Sequence, residues 1–371
     1  MKRLLFFLLV LFGLQTQAQS LKDANEFVEN FQFENALKVL SQLNDSTDVH
    51  IPLQSGYCYS RLGNYNDAIK NYERALQLDS VNKIALNHLG QMYARNNQVS
   101  RAQECFLKLI QIDSTNSFYF KQYASLLTSI GLGVVADSMY TKALQLNPKD
   151  IETHSSLGNI LLETEDYHRL DGLVNEALKI DSLQSTILTL KAKSEMAQHK
   201  YREVIATVNK ILERNDTQPL YVRMLGISYF QLNEFSKTVE CMNYLLMSGM
   251  KNEWIYYYLG ASYRELNKIP ESIDAMTKAI GEGISDNIGI YYSQLAKSYE
   301  ENKDYKNAIY YYQAAYESSK SNILLYHLAR NYDVYFKDKS TAIAYYKRYL
   351  ASDDTIKLAR QYSKRRLNVL E

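Results

Sequence analysis

The sequence predicts an all-α solenoid, and three observations carry that prediction. A small or aliphatic residue recurs about every 34 positions, at Ala36, Ala68, Ala102, Ala136, Leu170, Val204, Thr238, Ser272, Ala308 and Ala342. Twelve residues before most of these rungs stands a second small residue: Gly56, Gly90, Ala124, Gly158, Ala192, Gly226, Gly260 and Ala296, with Ala329 one step further from its rung. Aromatic residues keep the same phase, three positions after the first small residue (Tyr59, Tyr93, Tyr229, Tyr263, Tyr299, Tyr332) and four after the rung (Tyr72, Phe106, Tyr140, Tyr312, Tyr346). A fixed period of this length marks a repeat architecture. Within each period, apolar residues recur at helical spacing over two stretches of about 14 residues, so each unit reads as helix–turn–helix. The paired small residues mark where two backbones approach, and the rings fill the wider spaces beside them. One such hairpin cannot bury its own apolar face, so stacked neighbours supply the stability.

From the N-terminus, Met1-Lys2-Arg3 precedes an unbroken apolar run from Leu4 to Leu14, with Thr16 and Ala18 as small residues before Gln19. This pattern predicts a secretory signal peptide over residues 1–18, cut after Ala18. Its apolar run is too short for a bilayer-spanning helix. The expected address is periplasmic or secreted. The repeat array then occupies 19–352. Within units, polar stretches such as Arg61-Leu-Gly63-Asn64 and Arg95-Asn-Asn97-Gln98 form the turns. Between units, Leu78-Asp79-Ser80, Ile112-Asp113-Ser114, Leu146-Asn147-Pro148 and Ile180-Asp181-Ser182 supply residues that stop one helix and cap the next. Pro219 and Pro270 fall at expected helix starts, Pro148 between helices and Pro52 near a first turn, where a missing amide hydrogen costs little. One ladder step is longer, and Gly281–Asp286 reads there as a two-residue turn insertion. Residues 353–371 read as a capping helix. Leu358, Ala359, Tyr362 and Val369 are expected to cover the final repeat, and Lys357, Arg360, Lys364, Arg365 and Arg366 to solvate its outer face.

The best-formed copy runs Trp254-Ile-Tyr-Tyr-Tyr-Leu259-Gly260-Ala-Ser-Tyr263, followed by Ser272, Met276 and Ala279. Another runs Gly56-Tyr-Cys-Tyr59, then Gly63, Tyr65, Ala68, Tyr72 and Ala75. This pattern resembles the tetratricopeptide repeat (TPR). The resemblance implies a right-handed superhelix of about ten helix–turn–helix units, whose first helices line a concave partner-binding surface. Carried onto this chain, the N-terminal half of that surface is a mixed polar wall that includes Asn87, Gln91, Lys121, Ser125 and Glu152. The C-terminal half presents Arg223, Phe230, Trp254, Tyr257, Arg264, Lys297, Tyr326 and Arg330 as candidate partner-binding residues. Trp, Tyr and Arg dominate interface hot spots. The competing reading is that Trp254 and Tyr257 merely pack between neighbouring helices. Some members of the family clamp a terminal carboxylate with a lysine and an asparagine four apart, and no pair here matches.

The rest of the composition narrows the function. Formal charge is +1, or −1 once Lys2 and Arg3 leave with the signal, so no global field draws nucleic acid. Cys58, Cys105 and Cys241 read as buried small hydrophobes. The six histidines show no metal-ligand spacing. No phosphate loop or nucleophile elbow is present, and acid pairs such as Glu300-Glu301 read as helix-surface residues. No enzymatic activity, cofactor, metal or membrane span is expected. The partner is expected to be a protein or extended peptide, held by an exported scaffold and with envelope assembly as one setting. A glycan, bound for a polysaccharide export or uptake system, is the alternative, although many of the 32 tyrosines are the repeat's own structural rings.

Overall fold

A computed structural model describes residues 21–371 apart from 44–45, 215 and 283–285. The signal peptide and the centre of the expected turn insertion lie outside the described residues. Among the described residues the chain is helical throughout and contains no strand. It forms two compact units, the first ending at Ser182 and the second spanning Leu183–Glu371. In the first unit the helices are α1 (21–29), α2 (Phe33–Gln42), α3 (His50–Arg61), α4 (Tyr65–Leu78), α5 (Lys83–Arg95), α6 (Val99–Ile112), α7 (Ser117–Ser129), α8 (Gly133–Leu146), α9 (Ile151–Glu163) and α10 (Tyr167–Ile180). In the second they are α11 (Ser185–Ala197), α12 (Tyr201–Leu212), α13 (Pro219–Gln231), α14 (Phe235–Met247), α15 (Glu253–Glu265), α16 (Ile269–Glu282), α17 (Ile288–Glu301), α18 (Tyr305–Ser319), α19 (Ile323–Tyr335), α20 (Ser340–Ala351) and α21 (Lys357–Leu370). Odd and even helices pair as hairpins, and within each unit an even helix packs on the odd helix that follows it.

The ladder explains the packing. All ten rung residues, from Ala36 to Ala342, are completely buried. Tyr72, Phe106, Tyr140, Tyr312 and Tyr346, one helical turn beyond their rungs, are buried with them. Opposite the rung, a Cβ added to Gly260 would lie 2.7 Å from Met276 Cγ, so glycine is what lets α15 and α16 approach. Where the rung carries a hydroxyl, the hydroxyl closes the crossing. Ser272 Oγ donates to the Gly260 carbonyl at 2.7 Å, and Thr238 Oγ1 donates to that of Gly226 at 3.3 Å.

Each turn within a hairpin, the α19–α20 turn excepted, places one residue in the left-handed region. These are Phe31, Gly63, Asn97, Gly131, Glu165, His199, Asn233, Asn267 and Lys303, five positions ahead of their rungs. The amide of the following residue then reaches back to a carbonyl of the preceding helix, as in Gln98 N to Tyr93 O and Lys268 N to Tyr263 O, both 2.8 Å. This arrangement satisfies carbonyls that a helix end would otherwise leave open.

Two expectations need correction. At the unit junctions Asp79, Asp113, Asn147 and Asp181 do end their helices, but they do not cap the next ones. Capping falls three residues later, to Asn82, Asn116 and Asp150, whose side chains accept amide hydrogens of α5, α7 and α9. The junction residues instead brace the connecting loops, as where Asp113 Oδ1 accepts from Thr115 Oγ1 at 2.9 Å. In α21, Leu358 and Val369 are 79% and 71% exposed. The buried stripe is Ala359, Ser363 and Leu367, an i, i+4 spacing, with Tyr362 and Leu370 beside it. Nor is Arg366 merely solvated. It forms two hydrogen bonds to buried Asp333 of α19, at 2.8 and 3.0 Å, and so fastens the helix.

Candidate functional site

In the second unit, α13 and α15 are neighbours, as are α15 and α17, and they bring most of the candidate residues together. Arg223 is exposed on α13, and its guanidinium stands 4.9 Å from the centroid of the Trp254 ring. Trp254 is half-buried and meets Tyr258 edge-on at 6.4 Å. Phe230 meets the same Tyr258 at 5.0 Å, and Tyr257 lies 5.6 Å from Tyr291 on α17. Burial raises the phenol pKa values of Tyr257 and Tyr258, so both stay protonated donors. Trp254 and Tyr257 are thus both half-buried and pack in part against the core of their hairpins.

Arg264 departs from expectation. Its side chain is only 7% exposed, and it donates to Gln294 Oε1 and, at 3.0 Å, to Glu265 Oε1. It ties α15 to α17 instead of offering donors to a partner. The reason is its place at the end of α15, where carboxylates and an amide of the next hairpin surround it.

Lys297, Tyr326 and Arg330 gather further along, where α17, α19 and α21 enclose a cavity of about 350 Å³. Lys297, Glu300, Glu301, His327, Arg330 and Asn331 line it, with Tyr305 and Tyr362 as aromatic walls. Arg330 pairs with Glu300 at 3.2 Å and lies over the rings of Tyr326 and Tyr362 at 5.5 and 5.9 Å. Glu300 also accepts from Tyr312 Oη at 2.8 Å. Glu300 is therefore half-buried in the cavity wall, where a plain helix-surface residue was expected, while Glu301 lines the cavity from an exposed position. Burial lowers the pKa of His327, whose ring stacks on Tyr312 at 5.0 Å, and burial raises that of Glu301. His327 and Asn331 carried no signal in the sequence, since only the packing of α19 against α17 and α21 turns them to a common space.

The N-terminal wall is more self-contained. Lys121 is held by Asp150 at 3.1 Å and Glu152 at 2.7 Å, and Gln91 donates to Gln122 at 3.3 Å. Cys58, Cys105 and Cys241 are free thiols, and burial pushes all three up to about 11. Among the described residues, no group of three or more His, Cys, Asp or Glu is placed to hold a metal ion. No described helix is long and apolar enough to cross a membrane.

Hairpins stacked in phase, with fully buried rungs and a side-chain-rich face on the first helices, define a helical-repeat protein built for contact along a surface. Residues 56–97 match the family described as TPR repeat, and residues 84–116 match the one described as Tetratricopeptide repeat. Residues 56–116 thus carry matched tetratricopeptide repeats. Anaphase-promoting complex subunit 3 of Schizosaccharomyces pombe is 22% identical to it over 148 residues. That match covers 40% of this chain and only 22% of the relative. Among solved structures, a tetratricopeptide repeat protein from Parabacteroides merdae is similar with a TM-score of 0.48 and 15% identity, covering 67% of this chain and 98% of that one. The Cut9–Hcn1 hetero-tetramer of the APC/C gives a TM-score of 0.47 and 14% identity, covering 96% of this chain and 84% of that one.

Proposed function

We propose that the first-helix face of the second unit holds a partner polypeptide, so that the chain acts as an interaction scaffold. The observation that carries this reading is the pairing of exposed Arg223 with Trp254, flanked by half-buried Phe230 and Tyr257. Stacking orients a guanidinium while leaving its in-plane donors free for carbonyls or carboxylates. Aromatic rings beside it offer large rigid contact area. We further propose that residues 1–18 direct export and are removed after Ala18, which places the scaffold and its partner in the periplasm or outside the cell. Envelope assembly is the process that fits that address.

The test is cross-linking capture from envelope extract with the wild-type chain and with Trp254→Ala, each checked for native helicity. Loss of a hot-spot ring should weaken capture by roughly 1–2 kcal/mol or more. Undiminished capture by the variant would move the partner to another surface. Retention on a glycan array without any polypeptide capture would replace this reading with the glycan alternative. Intact-mass measurement of the native product should show Gln19 as its first residue. A full-length chain would refute the export reading alone.

A further inference from the structure

The cavity between α17, α19 and α21 has more hydrogen-bond acceptors than its own donors satisfy. Asn331 is 1% exposed and lines the cavity. Its Nδ2 donates to the His327 carbonyl at 2.9 Å, which fixes the amide and leaves Oδ1 buried without a partner. His327 Nδ1 is likewise buried and unpartnered. Burial favours the neutral imidazole, whose Nδ1 accepts in the tautomer that carries its proton on Nε2. Glu301 contributes a carboxylate at the rim, 3.8 Å from Arg264 Nε, a buried donor that this ion pair leaves without a hydrogen bond. A buried acceptor left unsatisfied is costly, so a group that donates to it gains correspondingly.

These acceptors discriminate among ligands. A carboxylate or phosphate would bring its lone pairs against Asn331 Oδ1 and the charge of Glu301. A hydroxyl supplies one donor hydrogen. A primary ammonium supplies three from a single atom. Arg330 does not oppose a cation, because Glu300 already neutralises it at 3.2 Å. Lys297 is exposed on a flexible stem and can turn into solvent.

We propose that this cavity receives a primary ammonium group of the bound polypeptide, either a lysine side chain or an amino terminus. The proposal rests on the first-helix face being a polypeptide-binding surface.

The probe is n-butylammonium, titrated into the full chain while the His327 ring signals are followed by NMR and assigned with His327→Gln. Butyrate and n-butanol at equal ionic strength serve as controls. Butylammonium should shift the signals saturably, and the controls should not. Glu301→Gln should weaken the response about tenfold, the worth of one charge-assisted hydrogen bond. Lys297→Ala should strengthen it. Nα-acetyl-lysine methylamide and glycylglycinamide, which present only a side-chain and only a terminal ammonium, then identify the source by which binds more tightly. A response to butyrate, no saturable response to butylammonium, or an unchanged response in Glu301→Gln would overturn the proposal. Capture of a polypeptide through Trp254 would survive any of those results, so the two readings fail separately.

Discussion

Two glycines in helix interiors should respond differently to the same substitution, only one of them gaining stability. In α15, a Cβ on Gly260 would meet Met276 Cγ at 2.7 Å, Cε at 3.0 Å and the Met276 backbone nitrogen at 3.2 Å. Relaxed carbon–carbon contacts lie at about 3.5–4.0 Å. The methyl end of Met276 can swing aside, but Cγ and the backbone nitrogen cannot without a new rotamer or a shift of α16. Alanine gains about 1 kcal/mol of helix propensity over glycine, and overpacking costs about 1–3 kcal/mol. Gly260→Ala should therefore range from neutral to about 2 kcal/mol destabilising, and Gly260→Leu should reach the upper end of the overpacking range. Gly172, inside α10, has nothing within 4 Å of its added Cβ. Gly172→Ala should keep the whole propensity gain of about 1 kcal/mol. Guanidinium denaturation followed by far-ultraviolet circular dichroism gives the ordering. Because stacked repeats need not unfold together, hydrogen exchange of the α15 and α16 amides should localise the Gly260 effect. Equal stabilisation by both alanines would show that the α15–α16 crossing is not tight.

Three further outcomes follow from the geometry. Arg366→Ala should cost about 1–3 kcal/mol and raise hydrogen exchange in α21, because it strips a buried carboxylate of its main partner while Lys339 and Tyr346 remain nearby; exchange in α21 unchanged from wild type would refute the fastening role. The hydrogen bonds from Arg169 to Asp137, both 2.7 Å, hold that carboxyl below its ordinary value. The stability they contribute is thus present above the unfolded carboxylate pKa of about 3.9 and lost as pH falls through the folded value. The gap between wild type and Asp137→Asn should be at most about 1 kcal/mol at neutral pH, since Arg169 is half-exposed, and should close in acid; a gap independent of pH would count against it. Glu165→Gly should stabilise by up to about 1 kcal/mol, because glycine removes the left-handed penalty at φ 58°, and thermal melting that leaves the midpoint unmoved would show the turn to be relaxed.

The architecture was legible because it is written in residues whose size is the whole message. Ala36 to Ala342 had to be small or compact for two backbones to meet, and every one is buried. The capping helix was legible in kind but not in register. Leu358 and Val369 are the more apolar residues, yet Ala359, Ser363 and Leu367 share the face that α21 turns inward. Hydrophobicity alone could not choose that face, because the Arg366–Asp333 contact helps to set it and joins residues 33 apart in sequence. The geometry of the candidate surface was half legible. Repeat position put Arg223 and Trp254 on one face, but it could not show that Gln294 and Glu265 would take up donors of Arg264. The cavity was invisible, since Asn331 and His327 acquire meaning only from a third helix that lies outside the period.

The left-handed turn residues give the chain something like a reading frame. From Asn97 to Gly131 the backbone returns to the same conformation after one period. Excising residues 98–131 would join two equivalent points and leave every remaining turn as it was. Length can thus change by whole periods, whereas a single extra residue cannot be absorbed so cheaply. The last hairpin shows what such a residue entails. Its small residue, Ala329, stands one position further from the rung Ala342, and no left-handed residue lies between α19 and α20. The side chain of Lys339 instead reaches back to the carbonyls of Asp333 and Phe336, so that an ammonium group closes by hand the turn that elsewhere closes itself.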